Sequence, residues 1–196
     1  NAGSTDFTAE TSTHSDDQSR FSGEVDAAAN DANLLLESTA GFTARPGDLN
    51  SLICDADIEV DTMSNPRTIT ITYNGTSCLG NRTRTGVIVI SMAQGVRWSQ
   101  AGAAISLTYQ NFKITRTSDN KSITINGTHT LTNVSGGLLI NRPVLNTITH
   151  SITSSNMSVT FDNGTQRTWQ VARQRVFTFS NGVTITITGT HAEGGV

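Results

Sequence analysis

Hydrophobic and polar positions repeat along this chain with two different periods. Between residues 16 and 37, Phe21, Val25, Ala28, Ala32 and Leu35, with Leu36 alongside, recur at helical spacing on one face. Ser15 followed by Gln18 forms a capping box, and Asp16 and Asp17 suit the positive end of a helix. Gly41 lies just past the expected end. This pattern predicts a helix over 16–37 whose apolar face packs on a sheet. Residues 1–15 are rich in Ser, Thr and Asp and read as a flexible tether. Residues 39–53, with Pro46 and Gly47, read as a loop.

From residue 55 the period changes to two. Asp55, Ala56, Asp57, Ile58, Glu59, Val60 and Asp61 alternate strictly, and Thr68 to Tyr73 alternates Ile with Thr. Strands are predicted over 55–62, 67–74, 84–93, 103–118, 121–133, 145–153, 156–162, 167–180 and 182–191. The pairs Asn74-Gly75, Asn163-Gly164 and Asn181-Gly182 are hairpin signals, because both residue types tolerate the positive φ of a type I′ turn. Asn65-Pro66 turns the chain, and Asp119-Asn120 is a weaker turn signal. No helix-period segment separates the strands, so parallel crossovers are excluded by chain length. The fold class is therefore mainly β, or α+β by strict count. It is a long antiparallel β-meander forming a curved open sheet or half-barrel, with one N-terminal helix packed on it. A β-sandwich is the alternative.

An internal repeat relates 67–136 to 147–194. Ile123-Thr124-Ile125-Asn126-Gly127-Thr128-His129 matches Ile185-Thr186-Ile187-Thr188-Gly189-Thr190-His191. The stretch from Ile71 to Thr76 resembles that from Val159 to Thr165. The repeat predicts two similar sheet segments side by side within one domain, 16–196, whose sheet spans 55–191.

Composition adds the compartment. Of the 196 residues, 35% are hydrophobic and only 15% charged, with Thr, Ser, Asn and Gly making up the difference. Thr is β-branched and suits a pleated, half-buried surface, so the polar face is painted with hydroxyls, a pattern common in extracellular β-proteins. The net charge of −3 hides an asymmetry: residues 1–62 hold thirteen acids against two arginines, net −11, and residues 63–196 hold eleven cations against three acids, net +8. The acidic part is expected to pack on the basic sheet of the same molecule. An external polyanion is the alternative. Nucleic acid is not expected, because the cations are scattered over strands without an aromatic-rich RNA signature. No apolar run is long enough to span a bilayer. The first residue is Asn1, so the sequence is expected to follow a processed or removed segment.

The two cysteines, Cys54 and Cys78, have no metal-ligand spacing. They are either free thiols or one disulfide, and the disulfide is the reading adopted. The four histidines are His14, His129, His150 and His191, and the matched His129 and His191 are expected near one sheet end. Too few acids accompany them to support a metal, and no cofactor is expected. Asp55, Asp57, Glu59 and Asp61 lie along a straight strand, which spreads them too far for calcium; a solvated face or pairing with arginines fits better. No paired carboxylates of glycosidase type and no nucleophile motif stand out, so no catalytic residue is assigned. Trp98, Tyr109 and Trp169, with Arg167, Arg173 and Arg175, form the candidate binding surface for sugars or anions, and Phe112 is a further aromatic candidate. Core packing is the competing reading for these side chains. Asn74, Asn81, Asn126, Asn133, Asn156 and Asn163 head Asn-X-Ser/Thr triplets, which are glycosylation sites only in a eukaryotic secreted protein.

The run from Cys78 through Leu79-Gly80-Asn81-Arg82-Thr83-Arg84-Thr85-Gly86 to Ile90, then Gly102, Tyr109 to Phe112 and Gly127 to Thr130, resembles uncharacterised exported lipoproteins of Bacteroidetes-type bacteria. In these a cysteine precedes an Arg- and Gly-bearing strand, and the likeness covers most of 16–191. It implies export and anchoring at the periplasmic or outer-membrane surface through an N-terminal lipidated cysteine that this sequence lacks. It implies no activity. The expected role is a non-enzymatic binding or scaffold module of the cell envelope, for glycans or proteins. The alternatives are a periplasmic or outer-membrane carrier of an apolar ligand and, with least support, a hydrolase.

Overall fold

A computed structural model of the chain describes residues 7–38, 49–141, 147–179 and 182–193. One helix, α1 (Phe7–Ser38), precedes eight strands: β1 (Ala56–Asp61), β2 (Arg67–Thr76), β3 (Arg82–Met92), β4 (Ala103–Arg116), β5 (Ser122–Asn133), β6 (Thr147–Phe161), β7 (Gln166–Phe179) and β8 (Val183–Glu193). The strands form a single sheet in chain order, every pair antiparallel. β1 and β8 are its edges, so the sheet is open and the sandwich alternative does not occur. Both segments of the proposed repeat belong to this one sheet.

The core is one layer between α1 and the sheet. Phe21, Val25, Ala28, Ala32, Leu35 and Leu36 are all buried, as their spacing requires, and Ala29 joins them. They meet alternate residues of the strands, among them Ile69, Ile71, Ile88, Ile90, Ile105, Leu107, Ile123, Ile125, Ile152 and Val159. The other face of the strands carries mostly Thr and Ser. Period two therefore assigns each strand a wet and a dry side, as alternation demands.

Several boundaries differ from the pattern. The helix begins at Phe7, so residues 7–15 are helical where a tether was expected, and Ser15 lies inside the helix where a cap was expected. Residues 1–6 and Gly41 lie outside the described residues. The two strands expected over 145–153 and 156–162 are one strand, β6, with a register shift between Ser154 and Met157. Asn74-Gly75 makes no turn: both pair within the β2–β3 ladder, and the chain reverses after Thr76. Asn163-Gly164 does turn, with Gly164 at φ +83°, and so does Asp119-Asn120, with Asn120 at φ +55°. Gly182 lies between β7 and β8, and Asn181 lies outside the described residues.

Register shifts cross the sheet from strand to strand: Thr85/Val87 against β4, Tyr109/Phe112 against β5, Asn126/Thr130 against β6 and Ser154/Met157 against β7. Such bulges bend a strand and increase its twist. Two glycines make the line feasible. A Cβ on Gly86 (φ +97°) would sit 2.2 Å from the Asn111 carbonyl oxygen, and one on Gly127 (φ +123°) would sit 2.6 Å from that of Asn156. The Asn126 side-chain oxygen accepts from the Asn111 amide at 2.7 Å, which occupies a donor the bulge frees.

Candidate functional site

The acids that flank the apolar stripe of α1 meet the arginines of the sheet. Glu24 pairs with Arg82 and Asp31 with Arg84 on β3, while Asp26 pairs with Arg173 and Asp17 with Arg167 on β7. Asn30 accepts from Arg175 at 2.7 Å. The helix is clamped on both flanks, and these pairs join acids of the N-terminal part to cations of the sheet.

Arg84 is the centre of this network. Its Nε and Nη2 donate to the two oxygens of Asp55 at 2.7 and 2.5 Å, and its Nη1 donates to Asp31 at 2.7 Å. The Asp55 side chain is wholly buried. Tyr73 donates its hydroxyl to Asp31 at 2.9 Å and lies under the guanidinium, 4.5 Å from its ring centroid. Burial and the neighbouring Asp31 charge push the Tyr73 pKa well up. The Cys54–Cys78 disulfide lies on either side of this centre in sequence: Cys54 adjoins Asp55, and Cys78 opens the loop that leads to Arg82. Three nearby residues thus build a structural centre: Cys78 the staple, Arg84 the ionic node and Gly86 the bulge. Beside it a small open cleft of about 200 Å³ is bounded by Asn30, Asp31, Ser77, Asn81, Arg82 and Arg84. Its charged groups are already paired with one another or with Glu24 and Asp55.

The aromatic and arginine surface expected from the sequence does not form. Trp98, Tyr109 and Trp169 are buried in the core, and so is Phe112. Trp169 stacks on Phe21 of the helix with ring centroids 4.8 Å apart, and Trp98 donates its indole N–H to Asn33 at 2.9 Å. Arg167, Arg173 and Arg175 sit on the same face of β7 as Trp169 and are engaged by helix residues. The cause is strand parity: 167, 169, 171, 173, 175 and 177 share one side of β7, and that side is dry.

The two histidines whose side chains are described, His129 and His150, lie in separate settings. His129 is buried against the Tyr109 hydroxyl, 3.2 Å from its Nδ1. His150 is buried between Trp98 and Phe177, and burial together with the adjacent Arg175 charge lowers its pKa to about 4. His191 is on β8, three strands from His129 on β5, and the side chains of His14 and His191 lie outside the described residues. No group of three potential metal ligands occurs among the described residues. Of the glycosylation triplets, Asn133 is fully buried, donating to the carbonyls of Trp98 and Gly137, whereas Asn74, Asn81, Asn156 and Asn163 are exposed.

Two surface features have no counterpart in the sequence pattern. On the hydroxyl-bearing face, Thr128, Thr130, Thr153 and Ser154 enclose an open depression of about 490 Å³. It falls where the β5–β6 register shifts, so the bulge line that bends the sheet also hollows its outer side. Thr108 and Thr128 hydroxyls meet at its edge at 3.1 Å. The second feature is the terminal strand, where Val183, Ile185 and Ile187 are all nearly half exposed. No described helix is long and apolar enough to cross a membrane. No protein-family model, curated protein or solved structure matches the chain.

Proposed function

We propose that the protein is a non-enzymatic binding module of the cell envelope, exported and lipid-anchored in its mature setting, that engages glycans through the outer face of its sheet. The observation that carries this is the depression lined by Thr128, Thr130, Thr153 and Ser154. Four hydroxyl-bearing side chains around one hollow offer both donors and acceptors, which matches the hydroxyl groups of a sugar. The disulfide supports an oxidising compartment. The carrier alternative has less support. It requires an apolar space that no core fills, and the space between helix and sheet is occupied by Phe21, Leu35, Leu36, Trp98, Phe112 and Trp169.

The test is saturation-transfer NMR with oligosaccharide fragments of envelope polysaccharides. The wild type is expected to give contacts that disappear in Thr130→Val combined with Thr153→Val, which keeps the shape and removes the hydroxyls. Contacts that survive in the variant, or a wild type that gives none, would overturn the reading. Native mass spectrometry of protein incubated with envelope lipids is the companion measurement, and a retained lipid at fixed stoichiometry would favour the carrier.

A further inference from the structure

The two edges of the sheet are finished differently. On β1 the side chains of Asp57, Glu59 and Asp61 are exposed. The Ile58 amide, on a strand that pairs with β2 alone, is already engaged by the Asn50 side-chain oxygen at 2.8 Å. Charges and covering groups of this kind are how sheet edges are kept from pairing. Among the described residues no such group covers β8, which pairs there only with β7, and from Val183 to Ala192 it contains no Lys, Arg, Asp, Glu or Pro, its one charge being Glu193 at the end. At about 3.4 Å per residue its eleven residues offer an edge of about 37 Å.

Three aliphatic side chains of β8 are also exposed. Val183, Ile185 and Ile187 oppose Phe179, Phe177 and Arg175, so they stand on the helix side of the sheet. Phe177 opposite is buried, yet Val183, Ile185 and Ile187 are 47%, 47% and 42% exposed. The described ion pairs and hydrogen bonds of the helix reach β7, and none of them goes to β8.

We propose that β8 is a self-association interface, at which two copies of this chain pair antiparallel, edge to edge, about a two-fold axis normal to the sheet. Such an axis keeps each face on its own side. Centred on Ile185, it sets Ile185 against its counterpart and Val183 of each copy against Ile187 of the other. On the outer side it sets Thr184 against Thr186 of the other copy, a favourable cross-strand pair. The three aliphatic side chains of each copy then form one apolar stripe. With no charge between Val183 and Ala192, like charges do not meet across the axis. A head-to-tail arrangement of β8 on β1 meets the acids and the occupied Ile58 amide, so association closes at the dimer and does not run on into fibres. A strand edge with three aliphatic side chains per copy is at the small end of specific interfaces, so the dimer is concentration-dependent.

Sedimentation velocity from low micromolar to near-millimolar protein tests this, with hydrogen exchange of the β8 amides followed over the same range. The wild type is expected to pass from monomer to dimer while β8 exchange slows. Ile185→Lys, which sets lysine against lysine, is expected to weaken the dimer at least tenfold while keeping the wild-type circular dichroism and melting profile. Glu59→Lys on the opposite edge is expected to leave the dimer unchanged. A monomer at every concentration would overturn the proposal and leave the edge to an extended segment of a different protein. A dimer that survives Ile185→Lys, or one that forms without slower β8 exchange, would overturn it as well.

Discussion

Arg84 and Asp55 form a two-point hydrogen-bonded ion pair with the carboxylate fully buried. Removing one member of such a pair strands the other charge in the core, at a cost of about 3–5 kcal/mol. Asp55→Ala is therefore expected to lower the unfolding free energy by about that amount, read from urea denaturation. Asp55→Leu combined with Arg84→Met removes both charges and is expected to recover most of the loss. Asp31, whose side chain is 22% exposed, is expected to cost less when replaced by Ala. A double variant as unstable as the single one would show that the pair stabilises the fold beyond mutual charge compensation.

Gly86 and Gly164 both have positive φ but differ in surroundings. A Cβ on Gly86 meets the backbone of Asn111 and Phe112, whereas one on Gly164 meets nothing within 4 Å. Gly164→Ala carries only the conformational penalty, about 1 kcal/mol. Gly86→Ala must also push the β4 bulge aside and is expected to cost several times more, read as the shift in denaturation midpoint. Equal costs would mean that the close approach at Asn111 is easily relaxed.

Two Asn-Gly pairs mark where sequence pattern stops being informative. Asn74-Gly75 and Asn163-Gly164 are the same dipeptide, yet the first is paired within a strand and the second turns. What separates them is the partner: Gly75 lies opposite Arg84, which must reach Asp55, and that pairing is set by residues far away in sequence. The helix stripe and the alternation of the strands were legible, because each needs only its own period. The join of two expected strands into β6 was not, because a bulge at Ser154–Met157 breaks the alternation as a turn would. The misplaced binding surface had a readable signal. Trp169, Arg173 and Arg175 share parity with Val171 and Phe177, and the acids of α1 flank its apolar stripe, so those arginines had partners inside the molecule.

The Cys54–Cys78 bond spans a sequence separation of 24 residues and joins the segment before β1 to the β2–β3 loop. In the chain-entropy account, a loop of that size is worth about 3 kcal/mol. Replacing both cysteines by Ser is expected to lower stability by about that amount under oxidising conditions. With reductant present, wild type and variant are expected to melt together. An equal difference in both conditions would assign the loss to the serine side chains and not to the cross-link.

His150 gives the fold a dependence on pH whose sign is fixed by its surroundings. Desolvation, with Arg175 adding its charge, lowers the pKa from 6.5 to about 4. Below pH 6.5 the unfolded chain takes up a proton here that the folded chain refuses. Stability is therefore full above pH 6.5 and falls as the pH approaches 4, by about 3 kcal/mol at 1.36 kcal/mol per unit. Carboxylates titrate near the lower end of this window, so the comparison is with His150→Phe, which keeps an aromatic ring between Trp98 and Phe177 and removes the titration. The wild type is expected to lose stability more steeply than the variant between pH 6.5 and 4, measured as urea midpoints at several pH values. Parallel pH profiles would mean that His150 gains its proton without leaving the fold, and that water reaches the ring between Trp98 and Phe177.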